Sequence, residues 1–325
     1  MGCRRGHVAG PGHQHGQVSG SMTAHIESAD LSAKHQHPPS VAEAVGYWRP
    51  WRWLVSIIFT LLVAQFLVTL ALNPNMQWHV VLDYMFHPVV LRGLMMTLLL
   101  TFLAMLVGFT LGTGLALFRL SPILPMQMFA LGFTWLFRSI PTLVLLIFLY
   151  NLAILIPEVS LKIPFGPTLW SQDTNVLVTP FVAAIIGLGF HKAAYMSEII
   201  RAGLLSVDDG QRQAATALGM SSGTTLRRIV LPQAMRVIIP PTGSEIISTL
   251  KLTSLVSVIS MSDLLYTIET IYSRTFQTIP LLLVACIWYL VLTSILQFAQ
   301  RYVERYFGRG YRAPGGKDNR AEAEG

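Results

Sequence analysis

The chain carries apolar runs too long and too free of charge for a water-soluble fold. Leu54 to Leu72 contains no Asp, Glu, Lys or Arg, and its length matches the ~20 residues a helix needs to cross a bilayer. Five more apolar segments follow, carrying few charges, at Val89 to Phe118, Ile123 to Pro157, Val176 to Ile200, Leu231 to Ile259 and Thr278 to Gln300. In hydrocarbon a segment must satisfy its own backbone hydrogen bonds, which a helix does. The expected fold is therefore an all-α integral membrane protein of about six transmembrane helices. Composition agrees: 12% of the 325 residues are charged, about half the usual share. That excludes a cytosolic enzyme. The net charge of +7 is not gathered into a dense basic stripe, so no nucleic acid partner is expected.

Residues 1–50 are polar and rich in Gly and His. A cleaved leader would place its apolar core in this stretch, so 51–72 is read as an uncleaved N-terminal spanning helix preceded by a disordered tail. The tail's His7, His13, His15, His25, His35 and His37 repeat no ligand spacing, and no metal site is expected. Cys3 and Cys286 lie too far apart in sequence to suggest a disulfide framework or a Cys-based metal site. The third apolar segment is too long for one straight span, and Ser139-Ile140-Pro141 interrupts it, so it is expected to bend. Gly108 and Gly112, followed by Gly114, offer the second span a small-residue face. Lys and Arg are rich and poor in alternate connections, which places both termini and the Arg201 to Val230 loop in the cytoplasm. The segment 89–306 is then the main membrane domain and 307–325 a cytoplasmic tail.

The loop 201–232 is not a plain connector. Ala214, Ala217 and Leu218 recur at helical spacing, Gly219 breaks the pattern, and Ser221 or Ser222 can cap a second short helix with Leu226 and Ile229 on its apolar side. Nothing else in the sequence is expected to bury this protrusion, so it is expected to dock on a partner.

Gln213-Ala214-Ala215, Gly219 and then Ile229, Leu231 and Pro232 resemble the EAA signature of ABC-transporter permease subunits. Phe137-Arg138-Ser139-Ile140-Pro141, the Ala194 to Gly203 helix, Leu231-Pro232-Gln233-Ala234-Met235-Arg236 with Pro240-Pro241, and Lys251 with Thr253-Ser254-Leu255 are similar to the polar amino acid (histidine, glutamine or arginine) branch of that family. The likeness runs from about Leu91 to Arg305. Three departures stand out: Gln213 for the usual Glu, His191-Lys192 for Asn and a small or polar residue, and Ser244-Glu245 for Asn-Glu. The resemblance implies a type I importer permease core. It also implies a second permease subunit (a homo- or heterodimer), a separate ATPase bearing ATP and Mg, an extracytoplasmic solute-binding protein, and a multi-pass location in the cell (inner or plasma) membrane. This chain has no phosphate-binding Gly-x-x-x-x-Gly-Lys-Ser/Thr loop and no nucleophile with its base, so no catalytic residue and no cofactor of its own is expected.

Ionisable residues within spans mark pathways or partners. His191, Tyr195 and Glu198 share one helical face, and Glu198 can pair with Arg201 as a structural clamp. Pro240, Pro241 and Gly243 are expected to open the fifth span early, beside Ser244, Glu245, Ser248 and Lys251. The substrate-path candidates are His191, Lys192, Tyr195, Glu245, Ser248 and Lys251. Lys192 can meet a substrate carboxylate, pair with Glu245 or snorkel. Glu245 and Lys251 can face the two ends of an amino acid or hold a subunit interface. An ion-coupled secondary amino acid transporter is the alternative, but no internal repeat supports it. A membrane receptor or scaffold leaves the buried charges unexplained.

Overall fold

The computed structural model describes residues 50–162 and 168–307. Apart from Pro50 and Phe307, the tails expected at 1–50 and 307–325 lie outside the described residues. The chain separates into two units at Thr69/Leu70. Helix α1, Pro50–Ala71, makes up most of the described part of the first. It is charge-free beyond Arg52 and long enough to span.

In the second unit, α2 (Trp78–Met85) precedes α3 (Pro88–Leu120). Pro88 starts α3 at a position where no amide donor is needed, and the His87 side chain caps it at Val89 N–H. Then come α4 (Leu124–Ser139) and α5 (Thr142–Tyr150), set at 102° to each other. The bend falls at Ile140-Pro141, as the sequence requires: proline removes an amide donor and pushes the residue before it out of helical geometry. A short turn α6 (Leu152–Leu155) leads to strands β1 (Glu158–Lys162) and β2 (Thr168–Asp173), which pair antiparallel. This hairpin, in a segment expected as a loop, is an addition to a mostly helical fold.

After α7 (Thr174–Leu177) comes α8 (Pro180–Leu205), the centre of the unit, with Thr179 capping Val182 N–H. The elbow follows: α9 (Asp209–Ala217), α10 (Ser222–Thr225) and a π turn over Leu226–Val230 that runs into α11 (Leu231–Leu252). A 3-10 segment, Thr253–Ile259, leads to α12 (Leu264–Thr275) and α13 (Thr278–Phe307). Both α2 and α12 lie in segments expected as simple connections. Their hydrophobic faces (Val80 and Val81; Leu264 and Ile268) bury against Leu281 and Val284 of α13, which is why they are helical.

The expectation that Pro240-Pro241 opens the fifth span is corrected. Helix α11 continues through both prolines, and the regular helix ends at Thr253. The two prolines leave the carbonyls of Arg236 and Val237 without an amide partner, a loss that a spanning helix packed in protein tolerates. One turn on, Gln300 of α13 ties to the same helix, donating to the Pro240 carbonyl (3.5 Å) and to Ser244 Oγ (2.8 Å).

Three single helices among the described residues are long and apolar enough to span, or up to five units counting the bent pairs α4–α5 and α11–α12. Helix α8 has the length, 26 residues, but bears His191 and Lys192 at its middle and is not among them. Its polar centre is covered by protein. Helix α3 lies against it so closely that a Cβ on Gly108 would sit 2.7 Å from Lys192 Cβ, and one on Gly112 would sit 2.7 Å from Met196 Cβ. The small-residue face is therefore Gly108 and Gly112; Gly114 meets nothing within 4 Å.

Candidate functional site

Lys192 is the thirteenth residue of the 26-residue α8 and is only 2% exposed. Its Nζ donates to Glu245 Oε2 of α11 at 2.7 Å and to Ser248 Oγ, one turn further on, at 3.2 Å. The ammonium also lies 5.7 Å from the ring centroid of Tyr195, one turn along α8. A buried ammonium needs such partners, because desolvation without them costs several kcal/mol. Two residues 53 apart in sequence thus join the two helices that flank the elbow.

His191 packs on the other side of the same turn. Its Nδ1–H donates to the Phe137 carbonyl (3.1 Å), and Thr142 Oγ1 lies 3.4 Å from the ring nitrogens. These two partners flank the Ile140-Pro141 bend, so His191 ties α8 to both arms of the broken span. Tyr195 stacks near His191 (centroids 5.0 Å), and the Arg138 guanidinium lies 5.0 Å from the Tyr195 ring. Arg138 enters none of the ion pairs among the described residues. The fold therefore brings His191, Lys192, Tyr195, Glu245 and Ser248 into one cluster. Lys251 is exposed and enters none of those ion pairs either, so Glu245 meets Lys192 and not Lys251.

Toward the elbow, Glu198 pairs with Arg201 and also takes Arg119 Nη1, from the end of α3, at 2.5 Å. The second arginine lies 79 positions away, so helical spacing could not reveal it. A signal existed all the same: Arg119 is the basic residue in the last turn of a span.

The elbow is built on its glycine. Gly219 has φ +74°, and the amides of Gly219 and Met220 bond back to Thr216 O (2.9 Å) and Ala215 O (3.1 Å). This is the left-handed helix stop that favours glycine. Ser221 then caps α10 through Thr224 N–H. Contrary to expectation, the chain does bury the inner face of the elbow. Ala215 and Val230 are buried, and Arg212 donates to the Leu204 carbonyl at 2.7 Å. Packing falls on Ala215 because α9 turns it inward, leaving Gln213, Ala214, Ala217 and Leu218 on the outside. Leu218 is 80% exposed. Ile229 is half-buried, and Leu231 and Pro232 are exposed.

Residues 108–309 match the family described as binding-protein-dependent transport system inner membrane component. The arginine transport system permease protein of Corynebacterium glutamicum is 41% identical over 84% of this chain and 85% of its own length. The glutamate/aspartate import permease of Escherichia coli is 35% identical over 67% of this chain and 93% of its own length. In three dimensions the chain is similar to a solved amino acid ABC transporter with histidines, at 34% identity and TM-score 0.57, over 67% of this chain and 94% of that one. Extent, motifs and geometry agree, and the chain belongs to the binding-protein-dependent transport system inner membrane components, the permease subunits of ABC transporters.

Proposed function

We propose that this chain forms the translocation path of an ATP-driven importer for a polar amino acid, working with a second permease subunit in the membrane. Its energy comes from a separate ATPase that holds ATP and Mg, and an extracytoplasmic solute-binding protein delivers the substrate. Both termini and the elbow lie on the cytoplasmic side. One observation carries this reading: α8 holds the buried Lys192–Glu245 contact at its middle and leads straight into an elbow with an exposed Ala214/Ala217/Leu218 face. A site and its lever share one rod. The relatives support the substrate class, since one is named for arginine and another for glutamate and aspartate. In this scheme nucleotide shifts the inward-open and outward-open states because the ATPase binds the elbow differently in each.

The test is reconstitution in proteoliposomes with the ATPase and binding protein. Amino acid uptake that requires ATP, and that Leu218→Asp abolishes while the permease stays folded, is the expected result. Uptake driven by an ion gradient without the ATPase would favour a secondary transporter instead.

A further inference from the structure

The cluster around Lys192 has a charge balance that bears on what it admits. Glu245 is the carboxylate in direct contact with this group, and it is already occupied: the Lys192 ammonium holds its Oε2 at 2.7 Å and is itself braced by Ser248. The ammonium cannot drift away easily. It is buried, and α3 presses on its stem at Gly108 with no room for even a methyl group. A basic side chain entering the path would have to compete with a tethered cation of the same charge, at an effective concentration no free solute reaches. Arg138, exposed, is seated against the same Tyr195 ring that the Lys192 ammonium approaches, and is outside every ion pair among the described residues. Glu198 also lies within reach of the Arg138 charge, but Arg119 and Arg201 already hold it. Over Lys192, Arg138, Arg119, Arg201, Glu245 and Glu198 the formal sum is two positive charges, and His191 adds none that is negative.

Resting on the amino acid permease assignment above, we infer that Lys192 is a resident counter-ion for Glu245 that sets selectivity, turning away basic side chains, while Arg138 receives a carboxylate. The cluster is a filter for acidic over basic amino acids. Repulsion supplies much of the discrimination, as specificity often demands.

Radiolabelled glutamate and arginine are the probes, measured for direct binding to the detergent-purified permease–ATPase complex without binding protein. Wild type is expected to bind glutamate more tightly than arginine. Lys192→Gln frees Glu245 and is expected to improve arginine binding at least tenfold relative to glutamate. Arg138→Gln, at an exposed position with no folding role in the buried pair, is expected to weaken glutamate at least fivefold and to leave arginine within twofold. The paired exchange Lys192→Glu with Glu245→Lys keeps the pair neutral and is expected to retain the wild-type preference. An arginine-to-glutamate ratio that moves by less than twofold in both single variants overturns the filter while leaving the permease assignment intact. Tighter arginine than glutamate binding in wild type does the same. No binding of any amino acid, joined with no ATP-dependent uptake in proteoliposomes, overturns both.

Discussion

Glu198 of α8 and Arg119 at the end of α3 meet at 2.5 Å, and Arg201 holds the same carboxylate from one turn further along α8. One acid thus locks the elbow ends of the two most closely packed helices.

Glu198→Gln would leave two half-buried guanidinium groups sharing a neutral acceptor. The side chains retain 20–34% exposure, so water screens part of the loss. We expect a cost of about 1–2 kcal/mol, in line with charge-assisted contacts, read as a lower unfolding midpoint of the purified subunit. An unchanged midpoint would mean the triad is ornamental.

Helix approach gives a second test with an internal control. Gly108→Val and Gly112→Val place side-chain atoms where Lys192 and Met196 already stand, and overpacking of this kind costs roughly 1–3 kcal/mol. Gly114→Ala meets open space and should stabilise by about 0.5–1 kcal/mol through helix propensity. Thermal unfolding of all three, compared side by side, checks the order. Equal effects at the three sites would show that α3 does not meet α8 on this face.

At the elbow, Gly219→Ala forces a Cβ into φ +74°, at a cost of about 1–2 kcal/mol. The expected outcome is faster protease cleavage near 219 and slower ATP-driven uptake, with the membrane helices unchanged by circular dichroism. Uptake at the wild-type rate would mean the helix stop is not needed for coupling.

Asp263 caps α12, accepting from Tyr266 N–H (2.9 Å) and Leu265 N–H (3.2 Å). Asp263→Ala should cost about 1 kcal/mol and Asp263→Asn only a fraction of that. Hydrogen exchange at Leu265 and Tyr266 would report it. Equal exchange in both variants would contradict the cap.

The spans, the corner at Ile140-Pro141 and the Gly219 stop were legible in the sequence because each rests on local chemistry: apolar length, a missing amide, a left-handed residue. Partnerships between spans were only partly so. Lys192 with Glu245 was one of several open pairings, because helical spacing orders residues on one rod but says nothing about which rod lies opposite. Arg119 escaped for the same reason. Helix α12 was hidden because its apolar face is short and gains its partners from α3 and α13, both distant in sequence. The two prolines are a poor guide because a spanning helix packed against its neighbours tolerates the lost amide bonds and runs on.

The straight course of α8 has a mechanical corollary. From Leu205 back to Lys192 is thirteen residues, a shaft of about 20 Å at 1.5 Å per residue. Swinging that shaft by about 10° at its foot carries the ammonium through roughly 3 Å by the same rise, as much as the whole gap it now closes. In the proposed scheme, a push on the elbow parts the pair only by moving the whole shaft.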